Sequence, residues 1–199
     1  MKLFGVDRSP YARKVRIVLE EKGIPYEYVQ ARASTPDSPV PAYNPLAKIP
    51  VLVTDAGKAI YDSPVIVEYL EGYKREPRLV PEDFEGRIDV KRWEALGDGI
   101  ADATVLTSHD RERRQDEDWH KRQRLKIERG LAAMEKELGA AEFCYGGRFG
   151  LADIAAGYAL GYLDAVLPEV AWREAHPNLA KLAERLAQRE SFRRAPQAG

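Results

Sequence analysis

The chain has 199 residues, 44% of them apolar, which suits one large or two small domains of a soluble globular protein. Its 31 Lys and Arg against 32 Asp and Glu leave a net charge of −1, which excludes bulk attraction to nucleic acid or to an anionic membrane. The single cysteine, Cys144, excludes an internal disulfide, a CxxC redox pair and a multi-cysteine metal site, and makes a reducing, cytoplasmic setting the default.

Met1 to Val6 reads as a strand, too short in apolar length for a signal peptide and ended by Asp7-Arg8. Ser9-Pro10 caps a helix running to Lys22, which Gly23 stops, and Tyr26 to Gln30 forms a second strand. The Ser, Pro and Ala-rich stretch 33–43 is a loop with room for a short helix. Pro50 to Thr54 and Lys58 to Tyr61 flank Asp55-Ala56-Gly57, a hairpin-turn signal. A helix from Ser63 to Lys74 completes the order βαβαββα, which implies a mixed sheet with helices on its faces.

The prolines and charges of Glu76 to Glu82 interrupt this pattern as a linker does, so the expected division is a domain at 1–77, a linker at 78–84 and a second domain at 85–199. Beyond the linker there is no strand signal. Trp93, Leu96, Ile100 and Ala103 recur at helical spacing, as do Ile127, Leu131, Met134 and Leu138, and both sets read as helix faces packed on other helices. The stretch 107–122 is densely charged and reads as a solvated helix end or loop, with helix resuming near Lys121. Gly150 to Leu167 is a buried helix rather than a membrane span, given Asp153, Asp164 and two interior glycines. His176-Pro177 opens a further helix carrying Leu179, Leu182, Ala183 and Leu186.

Two short motifs together sketch a receptor for a small charged peptide. Tyr61-Asp62-Ser63-Pro64 reads as a strand end turning into a helix with Ser63 as N-cap and Pro64 at the first helical position. Such a helix start offers N–H groups and partial positive charge to a carboxylate, while Asp62 offers a negative charge beside it, a pairing suited to an α-amino acid end group. Alone, the motif reads as an ordinary capped helix. Lys48-Ile49-Pro50 adds a proline at the head of an apolar, β-branched run; the Ile49 N–H and C=O there could pair with an extended peptide, and Lys48 is either its cationic neighbour or a solvated lysine. The residues leave either isomer of the Ile49-Pro50 bond open.

A βαβαββα domain with Ser-Pro at its first helix, Ile-Pro before its third strand and Asp-Ser at its last helix, followed by an all-helical domain, resembles the cytosolic glutathione transferase superfamily over essentially the whole chain. Gly147 to Ile154 is similar to that family's capping segment for the central buried helix, and Trp93 to Ala103 with Arg189 to Phe192 resemble a bacterial branch typified by YibF-like proteins. The resemblance implies an α/β thioredoxin-like domain followed by a helical bundle, a cytoplasmic homodimer, and a detoxifying transferase that joins glutathione, its co-substrate, to a small apolar electrophile. A glutathione-dependent reductase, lyase or isomerase is an alternative, and a non-catalytic binding or interaction module is another. No metal, nucleic acid or membrane partner is implied.

By the same resemblance Ile49 pairs its backbone with the cysteinyl part of glutathione, with Pro50 cis, Asp62 and Ser63 hold the γ-glutamyl end, and Lys48 meets the glycyl carboxylate. Ser9 lies near the sulfur. Its bland reading is a plain N-cap before Pro10. Tyr11, two residues on, is the second candidate for thiol partner or an aromatic over the helix start. Gly150 stands where the family's capping segment more often has Ser or Thr, so Asp153 is expected to reach back to backbone donors in a folding role. Asp98 and Asp102 share a helix face that reads as solvated, with a cleft-facing role as the alternative, and His109, His120 and His176 show no metal spacing and read as structural.

Overall fold

A computed structural model of the chain describes residues 1–110 and 116–197. It resolves into two compact units, Met1–Arg78 with the described C-terminal residues from Glu190, and Leu79–Arg189.

The first unit runs β1 (Lys2–Gly5), α1 (Pro10–Glu21), β2 (Glu27–Gln30), a 3-10 turn at Val40–Ala42, β3 (Val51–Val53), β4 (Ala59–Ile60) and α2 (Ser63–Tyr73). The strands form a mixed sheet in the order β2-β1-β3-β4, with β1 and β2 parallel and the other pairs antiparallel. Alternation along the strands sorts the core. Phe4, Val51 and Val53 pack with Ala31 and Val40 on one face. Leu3 and Leu52, both fully buried, take the other. On that second face a Cβ at Gly5 would lie 2.8 Å from the Ala12 Cβ, so the close approach of α1 to β1 requires glycine there. The expected Asp55–Gly57 turn closes through Thr54 N–H to Lys58 O (3.0 Å) and Gly57 N–H to Thr54 O (2.9 Å), with Gly57 at φ 80°.

The C-terminal helix α8 (Glu190–Arg194) packs on α1. Arg13 Nε donates to Ala195 O (2.8 Å) and Arg16 Nη2 to Arg194 O (3.1 Å). Burial, with the neighbouring Arg16 charge second, lowers the Arg13 guanidinium pKa to about 10. Lys22 is another buried cation: its ammonium ion-pairs with Glu71 (2.8 Å) and donates to the carbonyls of Lys74 (2.8 Å) and Pro77 (3.0 Å).

The second unit holds α3 (Phe84–Asp110), α4 (Glu117–Leu138), α5 (Leu151–Val166), α6 (Trp172–Ala175) and α7 (Pro177–Gln188). Residues 111–115, inside the charged stretch, lie outside the described residues. Helix α4 starts at Glu117, ahead of the expected Lys121, because Asp116 caps it through Trp119 N–H (2.9 Å). Every residue of α5 from Leu151 to Leu160 is buried, as expected for a central helix. Helix α3 crosses it so closely at Gly97 that a Cβ there would stand 2.6 Å from Ala155 O. Asp153, fully buried, accepts from the N–H groups of Gly150 (2.9 Å) and Cys144 (2.9 Å), the backbone role expected of it. Among the described residues no helix is long and apolar enough to cross a membrane.

One expectation in this unit changes, and one cap comes from an unforeseen partner. Asp98 is not simply solvated, because the buried Tyr158 hydroxyl donates to its carboxylate across the α3 and α5 contact; Asp102 is exposed. Helix α7 lacks a side-chain cap at His176 and borrows Glu135 of α4, which accepts from Asn178 N–H (3.1 Å), Asn178 Nδ2 (2.7 Å) and Leu179 N–H (2.9 Å). That cap comes from a residue distant in sequence, which local patterning does not reveal.

Candidate functional site

The register of the sheet brings the sequence motifs to one end of it. Phe4 pairs with Val51, and Leu52 with Ile60. Continuing the two registers just past the ladders sets Pro50 beside Gly5 on one side and Asp62 on the other. Ser9 follows directly, its N–H bonded to Val6 O (2.9 Å). The segments with Ser9, Ile49-Pro50 and Asp62-Ser63 therefore share the edge formed by the C-terminal end of β1, the start of β3 and the exit of β4.

Each segment presents its groups for a local reason. Ser9 is the N-cap of α1, 8% exposed, with extended backbone and Oγ accepting from Ala12 N–H (3.2 Å). Pro10 follows at the first helical position, where a missing N–H costs no hydrogen bond. The hydroxyl proton stays available for donation, and the helix start adds partial positive charge. Tyr11 is half-buried in the first turn.

The Ile49-Pro50 peptide is cis, as is Tyr61-Asp62. Lys48 is exposed, Ile49 half-buried and Pro50 buried. Neither the Ile49 N–H nor its C=O has a hydrogen-bond partner among the described residues, and the Lys48 ammonium has no ion pair among them.

At α2 the expected cap moves by one residue. Asp62, not Ser63, is the N-cap: its backbone is extended and its C=O accepts from Ile66 N–H (2.9 Å), so Ser63 and Pro64 occupy the first two helical positions. Asp62 makes no side-chain cap bond. The shift leaves the Ser63 hydroxyl unspent on capping. Ser63 is 3% exposed, Asp62 is exposed, and neither side chain has a hydrogen-bond partner among the described residues.

The edge thus offers a lysine cation, an open main-chain donor and acceptor, a carboxylate next to a helix N-terminus, and a hydroxyl at a second helix N-terminus. Chemically, such a set suits an extended peptide bearing an amino group and carboxylates, with a polarising group beside its middle. Among the described residues there is no cluster of three His, Cys, Asp or Glu suited to hold a metal. Cys144 is buried, and burial followed by the Asp153 charge pushes its thiol far above the ordinary range, so it is not poised as a nucleophile. His120 and His176 belong to the second unit, and the side chain of His109 lies outside the described residues.

Sequence profiles of the glutathione S-transferase N-terminal and C-terminal domains match residues 8–72 and 117–185. The chain belongs to the glutathione S-transferase family. It is 40% identical to the GST-like protein YibF of Escherichia coli K12 over 98% of this chain and 97% of that protein. A glutathione S-transferase of Methylobacterium radiotolerans, solved with glutathione sulfonate, superposes with a TM-score of 0.96 at 45% identity, covering 100% of this chain and 95% of that one. A glutathione S-transferase of Methylobacillus flagellatus, solved with glutathione bound, gives 0.94 at 41% identity and covers 99% of each chain. With these relatives the chain is a glutathione transferase-like enzyme, with the thioredoxin-like α/β domain and helical domain of the family.

Sequence reasoning missed Asn44. It is 2% exposed and ties the Lys48 carbonyl through its side-chain amide (2.9 Å). The Asn44-Pro45 pair, a turn-initiating dipeptide, was the available signal.

Proposed function

We propose that this protein binds glutathione and activates its thiol for attack on a small, apolar electrophile. One observation carries the reading: Lys48, the Ile49 main chain, Asp62 and Ser63 lie along a single sheet edge with their recognition groups unpartnered among the described residues. The tripeptide needs such a set. Its cysteinyl backbone pairs with Ile49 as an added strand, its γ-glutamyl amino and carboxylate groups meet Asp62 and the Ser63 end of α2, and its glycyl carboxylate meets Lys48. The two solved relatives that hold glutathione or its sulfonate support the same ligand.

Ser9 supplies the chemistry. A free thiol of pKa about 8.5 is only a few per cent thiolate at neutral pH, and the thiolate is the nucleophile. A hydrogen bond from Ser9 Oγ and the α1 N-terminus favour the anion; a tenfold gain in the thiolate to thiol ratio corresponds to about 1.4 kcal/mol. The serine does not ionise, and no metal is required. Tyr11 is the second candidate for this role.

Calorimetry with glutathione, together with the pH dependence of bound-thiolate absorbance in wild type and Ser9→Ala, tests the reading. Saturable binding and a raised thiolate midpoint in the variant are expected. No binding at millimolar glutathione would sink the site; an unchanged midpoint would move the thiol role to Tyr11.

We further propose a cytoplasmic homodimer. Tyr61, Val65 and Tyr73 are exposed at intervals of four and eight residues, with Tyr69 stacked on Tyr73 (5.9 Å), an apolar stripe suited to a second copy. A monomer in sedimentation equilibrium at micromolar concentration contradicts it.

A further inference from the structure

Asn44 makes none of the contacts assigned above to glutathione, yet its side chain and main chain are both tied down beside them. Its Nδ2 donates to Lys48 O (2.9 Å) and its Oδ1 accepts from Leu46 N–H (3.0 Å). Its own main chain is held too: its N–H donates to Val40 O (2.8 Å) and its C=O accepts from Ala47 N–H (2.8 Å). Ala47 adopts the left-handed region at φ 49°, uncommon for a residue with a Cβ. Residues 44–48 therefore form a tight loop whose far end is tied to its start by one side-chain amide.

That tie has a directional consequence. The peptide linking Lys48 to Ile49 is not among the cis bonds, so its C=O and N–H point to opposite sides of a rigid plane. Holding the Lys48 carbonyl against Asn44 turns the Ile49 N–H away from the loop, where no described residue takes it up. We propose that Asn44 is a positioning residue for the peptide site: it sets the orientation of the Ile49 main-chain donor before ligand arrives. The gain is pre-organisation, since a freely rotating peptide plane must be ordered when the ligand binds. The proposal rests on the reading of Ile49 as the cysteinyl partner.

Asn44→Asp separates this role from loop folding. It keeps the acceptor for Leu46 N–H, removes the donor to Lys48 and sets a carboxylate oxygen against that carbonyl. The expected result is a calorimetric Kd for glutathione raised about tenfold, the worth of one hydrogen bond. The thiolate midpoint at saturating glutathione should stay at the wild-type value, because Ser9 is untouched. A purely structural loop residue would leave Kd within about twofold in the folded variant, and that outcome overturns the role of Asn44. A shifted thiolate midpoint with unchanged Kd overturns it as well. Wild type failing to bind glutathione overturns the site reading itself, a distinguishable result.

A second measurement needs no variant. In 15N-labelled wild type, glutathione should move the Ile49 amide proton downfield while the Asn44 side-chain amide protons stay protected from solvent exchange with and without ligand. An Ile49 amide unmoved at saturation, or rapidly exchanging Asn44 protons, overturns the proposal.

Discussion

Replacing Asp153 tests how the central helix is held. The carboxylate is fully buried and accepts two backbone N–H bonds at 2.9 Å, from Gly150 at the helix start and from Cys144 in the preceding loop. Burial raises its pKa, and the backbone hydrogen bonds oppose that change. Asp153→Ala leaves both N–H groups without an acceptor. Each stranded donor costs about 1–3 kcal/mol, and relief of the buried charge offsets part, so a net loss of about 3 kcal/mol is expected. In a domain of this size that lowers Tm by about 10 °C. Asp153→Asn retains one oxygen acceptor but turns its NH2 toward the other donor, so about half the loss is expected. Urea unfolding followed by tryptophan fluorescence measures both variants. An Ala variant within about 0.5 kcal/mol of wild type, or Asn and Ala variants of equal stability, would refute the assignment of two separate bonds.

Three further outcomes follow from burial. Lys22→Ala strands the Glu71 carboxylate and should cost about 3–5 kcal/mol in chemical denaturation, whereas Lys22→Met with Glu71→Leu should recover most of it; equal losses would contradict the ion pair as the cause. Gly97→Ala pushes a methyl to 2.6 Å from Ala155 O and should lower stability by about 2–3 kcal/mol; a neutral thermal melt would show that α3 and α5 do not cross this closely. For Cys144 the raised pKa keeps the thiol protonated in the native chain when the unfolded chain has lost that proton. Its contribution to stability is thus present below the ordinary thiol value of about 8.5 and declines as pH rises above it, by up to about 1.4 kcal/mol for each tenfold fall in proton concentration. Wild type should lose that stability relative to Cys144→Ala in alkaline unfolding titrations, and native protein should resist iodoacetamide under mildly alkaline conditions; equal slopes or rapid alkylation would contradict a buried, protonated thiol.

The sequence by itself determined most of the element order, because those elements were written in local chemistry; the second helix of the first unit is only a 3-10 turn at Val40–Ala42, and the short α6 and α8 were not legible there. Ser9-Pro10 and Gly23 bracket a helix, Asp55-Ala56-Gly57 closes a hairpin, and the Ile127, Leu131, Met134 and Leu138 spacing marks a helical core face. Asp153 was legible for the same reason, since a carboxylate three residues into a helix reaches the backbone at its own start. Other features depend on residues far apart in the chain. Nothing local marks Lys22 and Arg13 for burial; the carbonyls of Lys74, Pro77 and Ala195 that hold them come from distant parts of the chain. Asp98 looked solvated until Tyr158 reached it from another helix. At the candidate site, local patterning supplied the three segments but put the cap of α2 one residue too late, because Asp62 and Ser63 are both good caps and only the backbone turn separates them. The meeting of those segments at one edge, and the amide of Asn44 that turns the Lys48 peptide, were decided by sheet register and loop closure, which no short stretch of sequence encodes.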